Sequence, residues 1–258
     1  MRTPQVSIIL PTYNRADTIL RAVRSVQAQS FEDWELIVVD DGSTDNTHDL
    51  LAGVDDRIKL IRQANAGVYT ARNVGLAASR GRLLTFLDSD DAWRPHFLEL
   101  TTSFLNWSTD DHFVTTEFDQ DYGNGHVVAH DRYEISDQYP AFARAIGSAR
   151  LARPAGQTDD YLRVYDSCEA VGAWGQAAAT AAGQTEARLY RGQIFQHMRW
   201  GYLNWLPVTL LTRHALDTIG PFSTRTGNAA DYRFLGLLAR DFRANMIAVP
   251  SAIKYERA

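Results

Sequence analysis

Short apolar runs alternate with amphipathic stretches along the first hundred residues or so of the chain. Residues 6–10, 35–39, 57–61 and 83–87 read as strands, and residues 16–29, 44–52 and 68–79 read as helices between them. A β-α-β-α succession predicts a largely parallel sheet covered by helices, hence an α/β fold. The punctuation agrees with this reading. Ser43 and Thr44 suit helix N-caps, Gly81 follows a helical stretch, and Pro95 fits the first turn of a helix through Phe97, Leu98 and Leu100.

Beyond Leu105 the pattern changes. Residues 112–118 and 126–130 read as strands joined across Tyr122-Gly123-Asn124-Gly125, a hairpin signal. Residues 136–202 read as mainly helical, with alanine-rich stretches. A strand is expected over 206–211, helices over 213–218 and 231–239, and a last strand over 245–249. Residues 253–258 fit either an edge strand or a frayed tail.

Composition narrows the function classes. With 258 residues the chain can bury a substantial core. The formal charge is −5, so a broadly basic nucleic-acid surface is not expected and any polyanion must bind locally. Cys168 is the only cysteine, which excludes an intramolecular disulfide and a cysteine-based zinc cluster. No apolar run is long enough to cross a bilayer. The expectation is therefore a cytoplasmic protein, with peripheral contact at the inner face of a membrane left open.

Candidate chemistry concentrates at strand ends. The apolar run 83–87 stops abruptly in Asp88-Ser89-Asp90-Asp91, three carboxylates within four residues, which suits a hard cation such as Mg²⁺ or Mn²⁺. In an open parallel sheet, ligands bind outside the carboxyl ends of the strands. That rim also receives Pro11-Thr12-Tyr13-Asn14-Arg15 after the first strand and Asp40-Asp41-Gly42-Ser43 after the second. Together these loops offer amides, hydroxyls, an aromatic ring, a guanidinium and acidic groups, an inventory that fits a nucleoside diphosphate with a bound cation.

With these motifs, the chain resembles the inverting family 2 glycosyltransferases of the GT-A fold. The matching elements are Val6-Ser7-Ile8-Ile9-Leu10-Pro11-Thr12-Tyr13-Asn14, then Val39 to Asp45, then Asn65-Ala66-Gly67 with Ala71-Arg72-Asn73-Val74-Gly75, and Phe86 to Asp91, in the family's order and spacing. The resemblance implies a nucleotide-sugar donor, usually a UDP-sugar, and a glycan or lipid-linked glycan acceptor. It places Pro11, Thr12 and Tyr13 along base and ribose, Asp41 at the uracil imide, and Arg72 near the base or diphosphate. Asn14, Arg15, Asp40, Gly42, Ser43, Gly67, Asn73 and Ser89 complete the expected donor site. Asp88 is implied at the ribose or the metal and Asp90 as a ligand of Mn²⁺ or Mg²⁺, with Asp91 acting through water. Capping or turn formation is the alternative reading of Asp40, Ser43 and Asn73. A donor-binding half (1–110) and an acceptor and base half (111–258) then make one continuous domain.

The family's base sits in a Glu-Asp pair that opens a helix after a Gly-x-Phe turn. Here that turn is Gly220-Pro221-Phe222, Asp231 matches the base, and Ala230 stands in the usual place of Glu. Asp231 is the expected catalytic residue, with an N-terminal helix charge as its alternative. The missing Glu leaves a non-catalytic nucleotide-sugar-binding protein open as a second function. A sugar-phosphate nucleotidyltransferase fits less well, because no glycine-rich phosphate loop follows the first strand. A dehydrogenase is disfavoured on the same ground. Asp119 and Asp121, with His126 and His130, suggest a second metal site, but the adjoining turn accounts for the acidic pair. Trp200 and Trp205 are the candidate acceptor contacts, within an aromatic concentration whose spacing otherwise serves the core.

Overall fold

A computed structural model of the chain describes residues 3–121, 127–129, 164–198 and 205–255. Within them eleven strands form one sheet. Its parallel half contains β1 (Val6–Thr12), β2 (Trp34–Asp40), β3 (Ile58–Arg62) and β4 (Leu83–Phe86), in the order β3-β2-β1-β4. The sheet continues through β10 (Thr209–Thr212), β6 (Phe113–Asp121), β11 (Ala244–Tyr255), β9 (Arg188–Gly192) and β8 (Ser167–Ala170). Two short strands lie off this path: β5 (Ala92–Trp93) pairs with β11, and β7 (Val127–Ala129) pairs with β6. β10 runs antiparallel to both β4 and β6, whereas β11 runs parallel to β6.

The two-residue side-chain period explains why β1, β2 and β4 are buried on both faces, whereas the edge strand β3 is only partly covered. Ile8 and Leu10 join one core with Leu36 and Val38, while Ile9 joins the opposite core with Leu84 and Phe86. On the first face, α1 (Ile19–Gln27) brings Val23 and Val26, and α4 (Phe97–Trp107) brings Phe97, Leu100 and Phe104. On the second, α3 (Val68–Ala78) brings Leu76, and α8 (Ala230–Asp241) brings Phe234, Leu235 and Leu238. Helix α3 lies so close to β1 that a Cβ at Gly75 would stand 2.5 Å from Ile9 Cγ2.

Several expectations need correction. Ser43 and Thr44 do not cap α2 (Thr47–Leu51). The Ser43 hydroxyl accepts from the Asn14 N–H and the Thr44 N–H donates to the Asn14 side chain, so both serve the loop–loop junction. Residues 164–198 are not mainly helical. They contain β8 and β9 as well as α5 (Ala173–Ala181) and α6 (Phe195–Met198), because Leu189 and Tyr190 pair with β11 and are buried there. Strand 206–211 starts late: Leu206–Val208 is a 3₁₀ turn containing Pro207, whose carbonyl accepts from Trp93 Nε1 at 2.7 Å. Strand β11 runs through Tyr255, so residues 253–255 are paired rather than frayed. Asp119 and Asp121 sit within β6, not in a turn, and Arg94 answers Asp119 as an ion pair. The turn 122–125, the pair His126 and His130, and the expected helix over 136–163 lie outside the described residues.

Asp111 ties three strands of the non-parallel half together. Its buried carboxylate accepts from Arg243 Nε and Nη2 at 3.0 Å each and from Arg191, whose Nε also reaches Asn245 at 3.2 Å. Burial raises its pKa, but the hydrogen bonds from Arg243 and Ser108 and the charge of Arg191 together hold it below the ordinary value. Asp111→Asn should cost about 2–3 kcal/mol, discounted from a fully buried pair because Arg243 is partly exposed. With the folded pKa depressed, that stabilisation is complete above the unfolded value of 3.8 and disappears as pH falls through the folded pKa. Denaturant titrations of both proteins at neutral pH and below pH 4 check this; the gap between them should close only in acid.

Candidate active site

The loops after β1, β2 and β4 surround a cavity of about 540 Å³ at the carboxyl rim of the sheet. Pro11, Thr12, Tyr13 and Arg15 line it from the first loop, Asp41 from the second, and Asp88, Ser89 and Asp90 from the acidic loop. The start of α3 and the turn before it add Asn65, Gly67, Val68 and Arg72. Tyr13 and Val68 are 44% and 42% exposed, so the mouth presents one aromatic and one aliphatic surface to an incoming ring. Asn65 and Val68 were not singled out as site residues from the sequence. Asn65 lay inside a recognised motif, whereas a valine opening a helix carries no polar signal.

Other predicted site residues hold the wall from behind. Asn14, the one non-glycine at positive φ (51°) among the described residues, uses its side-chain oxygen to accept from the Thr44 N–H at 2.8 Å. Asp40 is fully buried and accepts from the Ser43 N–H at 2.8 Å, with His48 at 3.2 Å and Arg62 at 3.6 Å. Gly42 has φ of 81°, and a Cβ there would lie 2.9 Å from the Asn65 N–H nitrogen, so the second loop can meet the turn before α3 only with glycine. Asp41 fixes that turn, accepting from the N–H groups of Ala66 and Gly67 and from Gln63 Nε2. Asn73 does not line the cavity. It makes reciprocal bonds of 2.9 Å with the backbone N–H and carbonyl of Phe222, fastening the Gly-Pro-Phe turn to α3.

That fastening brings Asp231 to the donor loops. Phe222 stacks on Phe234 with centroids 4.1 Å apart, and both pack edge-on against Phe86, the residue that ends β4. Between them Arg72, only 3% exposed, donates from Nη1 to Asp231 at 2.6 Å and from Nη2 to Asp88 at 2.7 Å. Burial would lower the Arg72 pKa, but the two carboxylates overcome it and the guanidinium stays charged. Asp231 is pushed above the ordinary carboxylate range by burial, against the opposing pull of Arg72 and with the help of the Asp88 charge. A carboxylate raised in this way is a better proton acceptor than a free one.

The acidic loop fits a divalent cation. Asp90 meets Arg15 at 3.3 Å, while Asp91 is buried. Burial and the charges of Asp88 and Asp90 push Asp91 up to about 9. Such crowding of oxygen donors is what a hard cation relieves. Among the described residues no set of three acidic, histidine or cysteine side chains closes around a point. Of the candidate acceptor contacts, Trp200 lies outside the described residues. Trp205 is partly buried against the core, with its ring 4.4 Å from that of Phe118.

Residues 7–163 match the family model described as glycosyl transferase family 2. The chain therefore belongs to this family. A putative teichuronic acid biosynthesis glycosyltransferase, TuaG of Bacillus subtilis, is 44% identical over 106 residues, covering 40% of this chain and 42% of its own. The Escherichia coli UDP-Glc:alpha-D-GlcNAc-diphosphoundecaprenol beta-1,3-glucosyltransferase WfgD is 45% identical over 102 residues, 39% of this chain and 40% of its own. The matches thus span less than half the length of these curated relatives. Among solved structures, S. aureus TarS 1-349 in complex with UDP-GlcNAc superposes with a TM-score of 0.63 at 18% identity, covering 98% of this chain and 59% of that one. The mannosyltransferase PcManGT of Pyrobaculum calidifontis, in complex with GDP-Man and Mn²⁺, gives 0.58 at 18% identity, covering 99% and 57%. The expected GT-A architecture is the one observed.

Arg72 should carry much of the site's stability. Arg72→Met leaves Asp88 and Asp231 near each other without a cation, and should lower unfolding free energy by about 3 kcal/mol. Adding Asp231→Asn to that background should restore part of the loss. Denaturant unfolding of the four proteins of this cycle measures the coupling.

Proposed function

We propose that the protein is an inverting glycosyltransferase that moves one sugar from a UDP-sugar to a hydroxyl of a glycan or lipid-linked glycan, with Mn²⁺ or Mg²⁺. The observation that carries this reading is the shared guanidinium of Arg72, which joins Asp231 to the Asp88 end of the donor cavity. Relatives support it: the name of WfgD specifies a UDP-glucose donor and a diphosphoundecaprenol-linked acceptor, TarS has been crystallised with UDP-GlcNAc, and PcManGT with GDP-Man and Mn²⁺.

In this reading Tyr13 and Val68 receive the nucleobase and ribose at the cavity mouth. Arg15 and Arg72 face the diphosphate, and Asp88 and Asp90 hold the cation. The bound cation supplies Lewis-acid stabilisation of the charge that develops on the departing diphosphate. Arg72 occupies Oδ1 of Asp231 and so orients the carboxylate, leaving Oδ2 to take the proton. Asp231 accepts that proton from the acceptor hydroxyl as the hydroxyl oxygen bonds to the anomeric carbon. The bond from that carbon to the diphosphate breaks on the opposite side, and the configuration inverts. Ala230 is buried, so in this chain the duty of the family's acidic pair falls on Asp231.

Two substitutions separate binding from chemistry. Asp231→Asn should keep UDP affinity within about twofold of wild type while transfer falls by about 10²–10⁴-fold, the usual contribution of a positioned general base. Asp90→Ala should remove the Mn²⁺-dependent part of UDP binding. Acceptor-dependent nucleotide release, with calorimetric titration of UDP, checks both. Full transfer by Asp231→Asn contradicts the base assignment, and absence of acceptor-dependent release by the wild type favours the non-catalytic alternative.

A further inference from the structure

The acidic loop is gripped on the side away from the cavity by two residues that the donor chemistry does not use. Arg21, on α1, donates from Nη2 to the backbone carbonyl of Asp90 at 2.6 Å. The same guanidinium lies flat over the ring of Tyr255, its central carbon 3.6 Å from the ring centroid. The Tyr255 N–H in turn donates to Asp91 Oδ1 at 3.1 Å. Just beyond the loop, Ala92 and Trp93 pair with Ile253 and Ala252, so the end of β11 runs alongside the residues that leave it. The loop is thereby fixed from helix α1 and from strand β11, elements far apart in sequence.

Resting on the reading of this loop as the cation and diphosphate site, we propose that Arg21 and Tyr255 are positioning residues that hold it in its binding conformation. Asp88 and Asp90 set two carboxylates side by side at the cavity, and their repulsion works against the binding conformation when no cation is present. Arg21 opposes this without consuming a ligand: it brings a positive charge to the loop yet takes a backbone carbonyl, not a carboxylate oxygen. The contact suits arginine, whose planar fork gives an edge N–H to the carbonyl and a face to the aromatic ring at once. Lysine offers only one of the two. Tyr255 adds the reciprocal constraint, since its ring orients Arg21 while its backbone orients Asp91. Contacts of this kind, made to the backbone and neighbours of metal-binding carboxylates, aim those carboxylates at the ion.

The test is calorimetric titration of UDP, with and without Mn²⁺, into wild-type protein and the Arg21→Gln, Tyr255→Leu and Tyr255→Phe variants, with thermal unfolding of each. In Arg21→Gln and in Tyr255→Leu the gain in UDP affinity conferred by Mn²⁺ should shrink by about tenfold or more, the usual effect of losing an outer-shell partner. UDP affinity without metal should stay at the wild-type level, and Tyr255→Phe, which keeps the ring, should keep the gain. A merely structural contact would change the melting temperature and leave the gain intact. A wild-type Mn²⁺ gain in either folded variant, or an equal fall in affinity with and without metal, overturns the proposal. Since the two variants alter different elements, failure of one to fold leaves the other to decide. Wild-type protein that binds UDP with no Mn²⁺ gain overturns the reading of the loop itself, and this proposal with it.

Discussion

A guanidinium buried to 3% exposure cannot remain charged without compensation, and the site is organised around how Arg72 obtains it. Its two carboxylate partners lie far apart in the chain. Asp88 stands two residues past β4, 16 residues from Arg72, and Asp231 lies in the first turn of α8, 159 residues from it. Once Arg72 is buried, the C-terminal helix must dock where Asp231 can reach it. The Phe86, Phe222 and Phe234 cluster supplies the apolar contact for that docking, and Asn73 supplies the hydrogen bonds. Folding energy and the geometry of the site therefore depend on the same contacts.

The cavity follows from the same economy of parts. A parallel half-sheet whose inner strands are buried on both faces leaves its carboxyl rim as the one place where backbone amides, hydroxyls and acids gather. Beneath the rim, Asn14 binds its loop to Ser43 and Thr44 of the next, and Asp40 braces its own loop, so the residues that line the cavity are held from behind. Arg21 and Tyr255 extend this arrangement to the acidic loop. Membership of glycosyl transferase family 2 and the fold shared with TarS set this rim within a GT-A architecture.

Much of this was legible in the chain itself, and the exceptions share a cause. The alternation of Ile8, Ile9 and Leu10 is local, so the strand and its two buried faces follow from sequence. The acidic loop and Asp231 could be singled out because their motifs are local too. Strand β9 could not, since an alanine-rich neighbourhood suggests helix, and it is pairing with β11 on one side and β8 on the other that makes residues 188–192 extended. Likewise β5 is two residues long and exists by pairing with β11. Nor does sequence reveal which carboxylates a buried arginine will share, or that the Asn73 side chain will bond both polar groups of the Phe222 backbone. Trp205 likewise packs against Phe118, a partner that only the folded sheet brings to it.

The central claim is that the rim cavity and Asp231 form one site, joined by Arg72. A crystal structure of the protein grown with UDP and Mn²⁺ tests it most directly, because manganese can be located by its anomalous signal. The account predicts manganese at Asp88 and Asp90, the uracil ring between Tyr13 and Val68, and the Arg72 guanidinium between the diphosphate and Asp231. Nucleotide bound away from this cavity, or manganese bound away from the acidic loop, would contradict it.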